Sequence, residues 1–145
     1  MADQKMNEAE RQEFLAGLHV GVLGLERADG PPLLLPVWYS YEPGAEVEVL
    51  TSASSLKGRL AAAAGRASLC AQQEELPYKY VSVEGSVTID ALGAEAQSAT
   101  EPMAVRYLGD EMGRAYAAGN VGSDEIRIRL RPERWFSVDY GKGAG

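Results

Sequence analysis

Apolar and polar positions along the chain change period several times, and the changes mark out its elements. Asn7 followed by Glu10 is a capping pair, Phe14 and Leu15 supply an apolar face, and Gly17 can stop the turn, which predicts a short opening helix. Two apolar runs follow, residues 20–25 and 33–41, separated by Ala28-Asp29-Gly30. The Asp-Gly pair there favours the positive φ values of a tight hairpin. After the turn Glu42-Pro43-Gly44-Ala45, residues 46–51 alternate charged and branched apolar side chains as a half-buried strand does. Residues 52–65 switch to helical composition, with hydroxyls first, then Leu56, Leu60 and four alanines, and Gly65 last. Residues 67–71 form a fourth strand, and residues 80–89 a long alternating fifth. Residues 94–116 are helical in composition, interrupted near Gly109, and residues 126–130 and 135–138 close the series as strands.

Seven short, mostly antiparallel strands, with one helix inserted midway and another before the last pair, predict a mainly β (α+β) fold: a small barrel. Gly21, Gly24 and Gly85 fall inside strands and mark bends or close backbone approaches. The whole of residues 1–145 is expected to make a single domain, with residues 1–6 and 141–145 as flexible tails.

Composition narrows the chemistry. The net charge of −7 and the lack of a basic stripe argue against nucleic acid as a partner. Cys70 is the one cysteine and His19 the one histidine, so a single chain cannot assemble the usual Cys/His zinc site, and no metal is expected. His19 lies in an apolar run and reads as a packed strand residue. The polar, acidic opening carries no signal-peptide pattern, and the longest apolar stretch, residues 33–39, is far too short to span a bilayer. The expectation is a cytoplasmic protein with no membrane partner.

The segment richest in chemistry is Thr51-Ser52-Ala53-Ser54-Ser55-Leu56-Lys57-Gly58-Arg59. A strand ends at hydroxyls, and a helix starts with cations in its first turns. Unpaired N–H groups, hydroxyl donors and an ammonium together make a phosphate cradle. The alternative is structural: Ser52 or Ser54 caps the helix while Lys57 and Arg59 are solvated. Elsewhere, Glu74 and Glu75 read as a solvated loop, and Cys70 as a small buried hydrophobe. Arg127, Arg129 and Arg131 share one strand face, read as an exposed face with acid binding as the alternative. Of Trp38, Tyr39 and Tyr41, two are expected in the core and one beside a ligand.

The pattern Thr51, Ser55, Leu56, Lys57 resembles the phosphate-binding turn of the flavin split-barrel superfamily, which holds pyridoxamine 5′-phosphate oxidase-like proteins and deazaflavin-dependent reductases. The hairpin Gly21-Val22-Leu23-Gly24-Leu25 with Pro36-Val37-Trp38-Tyr39, then Arg66-Ala67-Ser68-Leu69, Val83-Glu84-Gly85 and Arg131-Pro132-Glu133-Arg134-Trp135, are similar in order and spacing. The resemblance runs from Phe14 to Asp139. It implies a six- to seven-stranded antiparallel split β-barrel, a homodimer with the cofactor groove at its interface, and a two-electron oxidoreductase acting on a small molecule with FMN or the deazaflavin coenzyme F-420. On that resemblance Thr51, Ser52, Ser55 and Lys57 hold the cofactor phosphate, and Pro36, Val37, Trp38 and Tyr39 run beside the ring. Ser86 contacts the ring, and Tyr78, Lys79 and Tyr80 approach from the partner subunit. No catalytic residue is named. A non-catalytic flavin- or haem-binding carrier or sensor is the alternative.

The chain departs from the pattern in three places. Leu56 stands where a basic residue is common, residues 59–66 carry few charges, and the C-terminal Arg-x-His-Asp-Arg clamp of vitamin B6 oxidation is missing. Pyridoxamine phosphate oxidation is therefore excluded from the expectation.

Overall fold

A computed structural model describes residues 3–143; the outermost residues of both expected tails, 1–2 and 144–145, lie outside it. The elements run α1 (Glu8–Ala16), β1 (Gly21–Arg27), β2 (Gly30–Val37), β3 (Val47–Ser52), α2 (Leu56–Ala64), β4 (Arg66–Gln73) and β5 (Lys79–Ala91). After a single 3-10 turn follow α3 (Ala96–Leu108), α4 (Asp110–Gly119), β6 (Glu125–Leu130) and β7 (Arg134–Asp139). All strand pairs are antiparallel, in the order β2-β1-β4-β5-β6-β3, with β7 on β5.

The expected capping pair closes α1 from both sides: Glu10 N–H donates to Asn7 Oδ1 (2.8 Å) and Asn7 N–H to Glu10 Oε1 (2.9 Å). Between α3 and α4 the chain reverses at Gly109 with φ +87°, a conformation that a side chain would strain.

The barrel depends on β5. Its first half, Lys79 to Glu84, lies between β4 and β7, and its second half, Val87 to Ala91, pairs β6. At the changeover Arg131 N–H donates to Ser86 O and Glu133 N–H to Glu84 O. A Cβ on Gly85 would sit 1.8 Å from Arg131 O, so the close backbone approach expected at this glycine is what the crossing requires. The sheet curls into a half-barrel around Leu23, Leu25, Leu69, Val81, Val83, Val47, Ile128 and Leu130, all buried, with Leu15 of α1 covering one end.

Several expectations are corrected. The β1–β2 loop is Ala28-Asp29, and neither Asp29 nor Gly30 has positive φ. A register irregularity between Leu25 and Arg27 absorbs the twist mismatch that a mirror-image turn would have avoided. β2 stops at Val37, because Trp38 and Tyr39 turn to receive α3 and only Ser40 rejoins a neighbour, pairing Glu48. Residues 4–6, expected as a loose tail, are tied to β7: Met6 is buried, its N–H donates to Ser137 Oγ, and Asp139 N–H donates to Gln4 O. Cys70 is half-buried on the outer sheet face rather than in the core, and burial raises its thiol pKa. The arginine face of β6 belongs to an ion-pair ladder. Arg127 meets Glu48 (2.8 Å), and Arg129 bridges Asp90 (2.9 Å) and Glu46 (3.8 Å).

Gly85→Ala is expected to cost about 2–4 kcal/mol, because backbone blocks the new methyl group. Gly24→Ala meets only the flexible end of Leu34 at 3.3 Å, and should cost under about 1 kcal/mol. Urea unfolding midpoints of the two variants check the contrast.

Candidate functional site

Where β2 ends beside the start of α2, the wall of the half-barrel opens into a cavity of about 640 Å³. Pro36, Val37 and Trp38 form one side, and Thr51, Ser52 and Lys57 another. Six residues singled out from sequence are thus gathered in one place. Met103 of α3 and Tyr116 of α4 form the far wall.

The aromatic side is prearranged. Trp38 stacks on Tyr107 with ring centroids 5.2 Å apart and planes 4° from parallel, and its other neighbour, Tyr116, is at 5.4 Å and 56°. Tyr107 is held in turn: its hydroxyl donates to His19 O (2.6 Å) and accepts from Tyr39 N–H (3.1 Å). Arg106 donates to Ala16 O and Gly17 O. These bonds fasten α3 to the α1–β1 connection and fix the wall that Trp38 leans on.

The polar side differs from the expected cradle. A hydroxyl has one proton to donate. Ser55 donates its proton to Ser52 O (2.7 Å) and accepts from Gly58 N–H (3.0 Å), which makes it the N-cap of α2. Thr51 Oγ1 lies 3.1 Å from Ser55 Oγ; with the Ser55 proton already engaged, Thr51 is the donor. Ser52 Oγ donates to Glu125 Oε1 (3.3 Å), and Ser54 donates both its hydroxyl (2.7 Å) and its N–H (3.2 Å) to Asp124 Oδ2. All four hydroxyl protons therefore have acceptors within the chain. The hydrogen bonds from Ser54 hold the Asp124 carboxyl below its usual range.

At the start of α2 the donors left are the Lys57 ammonium and the N–H groups of Leu56 and Lys57, which have no acceptor among the described residues. Burial pushes the Lys57 pKa down, with Glu125 partly offsetting it. Glu125 also lines the cavity, near enough for its charge to act on Lys57. Sequence reading missed it, because Ser52 and Glu125 meet only through the β3–β6 register. Tyr107 and Tyr116 were missed for the same reason; the helical pattern of residues 94–116 says nothing about which strand its aromatics reach.

The remaining singled-out residues lie elsewhere. Tyr39 is wholly buried, and its hydroxyl donates to Leu15 O (2.7 Å); it belongs to the core, as Tyr41 does. Ser86 lines a shallow depression on the outer sheet face with Leu34 and Arg66, and Tyr78 and Lys79 line another with Gln72 and Tyr140. Within one chain none of the three reaches the cavity. His19 stacks on Phe14 and its Nε2 meets Phe14 O (3.0 Å), so the one imidazole is absent from the cavity wall.

The residues fit a flat ring well: aromatic and apolar walls close it in, and the volume suits a small cofactor. They fit a phosphate only in part, through one ammonium and two N–H groups facing a carboxylate.

No protein-family model matches the chain, and no curated protein matches it. Solved structures do. A conserved hypothetical protein of Mycobacterium tuberculosis superposes with a TM-score of 0.79 at 25% identity, over 97% of this chain and 89% of that one. A structure titled F420 reductase gives 0.68 at 20% identity, over 86% and 94% of the two chains. An FAD-binding protein of Mesorhizobium loti gives 0.67 at 19% identity, over 92% and 94%. Among the described residues no helix is long and apolar enough to cross a membrane.

Lys57 is penalised by burial in the folded protein and not in the unfolded chain. Its folded pKa is lowered, so the penalty is present in full at neutral pH and fades as pH rises toward 10.5. Lys57→Met should therefore be at least as stable as the parent near pH 7, by no more than about 1 kcal/mol after solvent screening. The advantage should shrink as pH is raised, which paired urea titrations would follow. The three solved structures thus show that the chain shares their fold, an antiparallel sheet curled into a half-barrel and flanked by helices.

Proposed function

We propose that this chain is a two-electron oxidoreductase that holds a flavin or deazaflavin, FMN or F-420, in the cavity between β2 and α2, and acts on a small organic molecule. The observation that carries the reading is the pairing of a preformed aromatic wall, Trp38 backed by Tyr107, with a half-buried ammonium, Lys57, at the start of a helix. The fold, shared with structures titled F420 reductase and FAD-binding protein, supports it.

Bound there, the cofactor supplies the electron chemistry. The chain's part is to position it and exclude water. Pro36, Val37 and Trp38 lie along the ring, and Met103 and Tyr116 cover it from the helical side. Lys57 and the free N–H groups of the first turn of α2 receive the anionic end. Thr51, Ser52 and Ser55 act one step back: their hydrogen bonds shape the turn that presents Lys57.

Saturable binding of FMN or F-420 to purified protein, followed by quenching of cofactor fluorescence, tests the reading. Lys57→Met should weaken a phosphate-bearing flavin about tenfold, as expected for a lost partly buried ion pair. No saturable binding of either cofactor would overturn the assignment. Binding without turnover of any acceptor or donor would favour the carrier alternative.

The homodimer is part of the same proposal. On the outer face of β1, β4, β5 and β7 a cross-strand row runs Val22, Cys70, Ser82, Phe136. Leu34 and Phe136 stand there 68% and 48% exposed. A second copy covering this apolar, small-residue face would supply the contacts to the cavity that Ser86, Tyr78 and Lys79 do not make within one chain. Light scattering at micromolar concentration should give twice the chain mass, and Phe136→Glu should return the chain to a monomer.

A further inference from the structure

The polar end of the cavity is electrically balanced, and that balance bears on which ligands it takes. Lys57 is the one cation among the lining residues and Glu125 the one anion. Glu125 is held in place: it pairs Ser52 in the β3–β6 register, accepts the Ser52 hydroxyl at 3.3 Å, and its backbone carbonyl accepts Leu92 N–H at 3.0 Å. It is therefore a fixed part of the wall.

Two terms decide what a charged ligand gains here. Its interaction with a balanced ammonium–carboxylate pair is linear in ligand charge and largely cancels. The cost of taking it out of water grows as the square of that charge. At this polar end, beside Lys57 and Glu125, the hydroxyls of Thr51, Ser52, Ser54 and Ser55 that could offset this cost are already engaged with Ser55, Glu125, Asp124 and Ser52 O. A phosphate monoester, carrying nearly two charges above its second pKa near 6, is thus worse placed than a diester carrying one.

We propose that Glu125 is a specificity-determining residue. It sets the cavity against a phosphate monoester dianion and in favour of a flavin or deazaflavin whose polar end is a phosphodiester or an uncharged polyol. This rests on the cofactor reading above and deepens it, since it separates FMN from diester-linked cofactors. Discrimination comes from an element placed against the wrong ligand as much as from contacts to the right one.

Three ligands that share ring and ribityl chain and carry about zero, one and two negative charges at the polar end test it: riboflavin, the methyl diester of FMN, and FMN, titrated at pH 7.5 into the parent protein, Glu125→Gln and Glu125→Ala. The parent should bind FMN no more tightly than the diester. With the carboxylate gone Lys57 stands unopposed, and attraction rises in step with charge. Both variants should then tighten FMN about tenfold and the diester about threefold, and riboflavin less than about twofold. Agreement between the Gln and Ala variants guards against a packing effect, and far-UV circular dichroism confirms the fold. A parent that prefers FMN to the diester tenfold, or variants whose FMN-to-riboflavin ratio stays at the parent value, would overturn the inference and leave the cofactor reading standing. Folded parent and variants that bind none of the three, and F-420 no better, would overturn both.

Discussion

One strand serving two halves of a sheet is the constraint from which the rest follows. β5 can leave β7 for β6 only because the chain linking those two strands passes within bonding distance of its backbone at Gly85. That crossing curls the sheet, and the curl sets the end of β2 against the start of α2. Without it Trp38 and Lys57 would lie on one flat surface, with no cavity between them. Core packing then locks the arrangement: Val81 and Val83 before the crossing and Ile128 and Leu130 beyond it belong to one apolar cluster.

Local chemistry was legible in the sequence wherever it was self-contained. The Asn7–Glu10 cap, the alternation of residues 46–51 and 126–130, the break at Gly109 and the close approach at Gly85 all depend on near neighbours in the chain or on the absence of a side chain. The β1–β2 turn was not legible, although Asp-Gly sits beside it. Turn preference is a matter of local strain, and a register irregularity in the flanking strands can relieve it instead. The early end of β2 has a similar cause. Trp38 and Tyr39 have strand-forming side chains, but the hydroxyl of Tyr107 competes for the Tyr39 backbone and wins.

The site divides in the same way. Local sequence placed the hydroxyl-rich helix start and Lys57, and the strand that faces them. It could not show that the hydroxyls were already bonded, because two of their acceptors, Asp124 and Glu125, come from the start of β6 some seventy residues later. The same hydroxyls that read as phosphate donors turn out to build the turn itself. Tyr39 shows the converse: it adjoins a cavity residue in sequence, but its side chain is buried in the core, where its hydroxyl reaches Leu15 O.

Trp38 leans on Tyr107 at the cavity wall, while the chain's other indole, Trp135, lies under Arg11 and edge-on to Tyr41 in a different depression. The protein thus carries one indole in contact with whatever fills the cavity and a second outside it, so an occupant touches the surroundings of Trp38 directly and reaches Trp135 only through space.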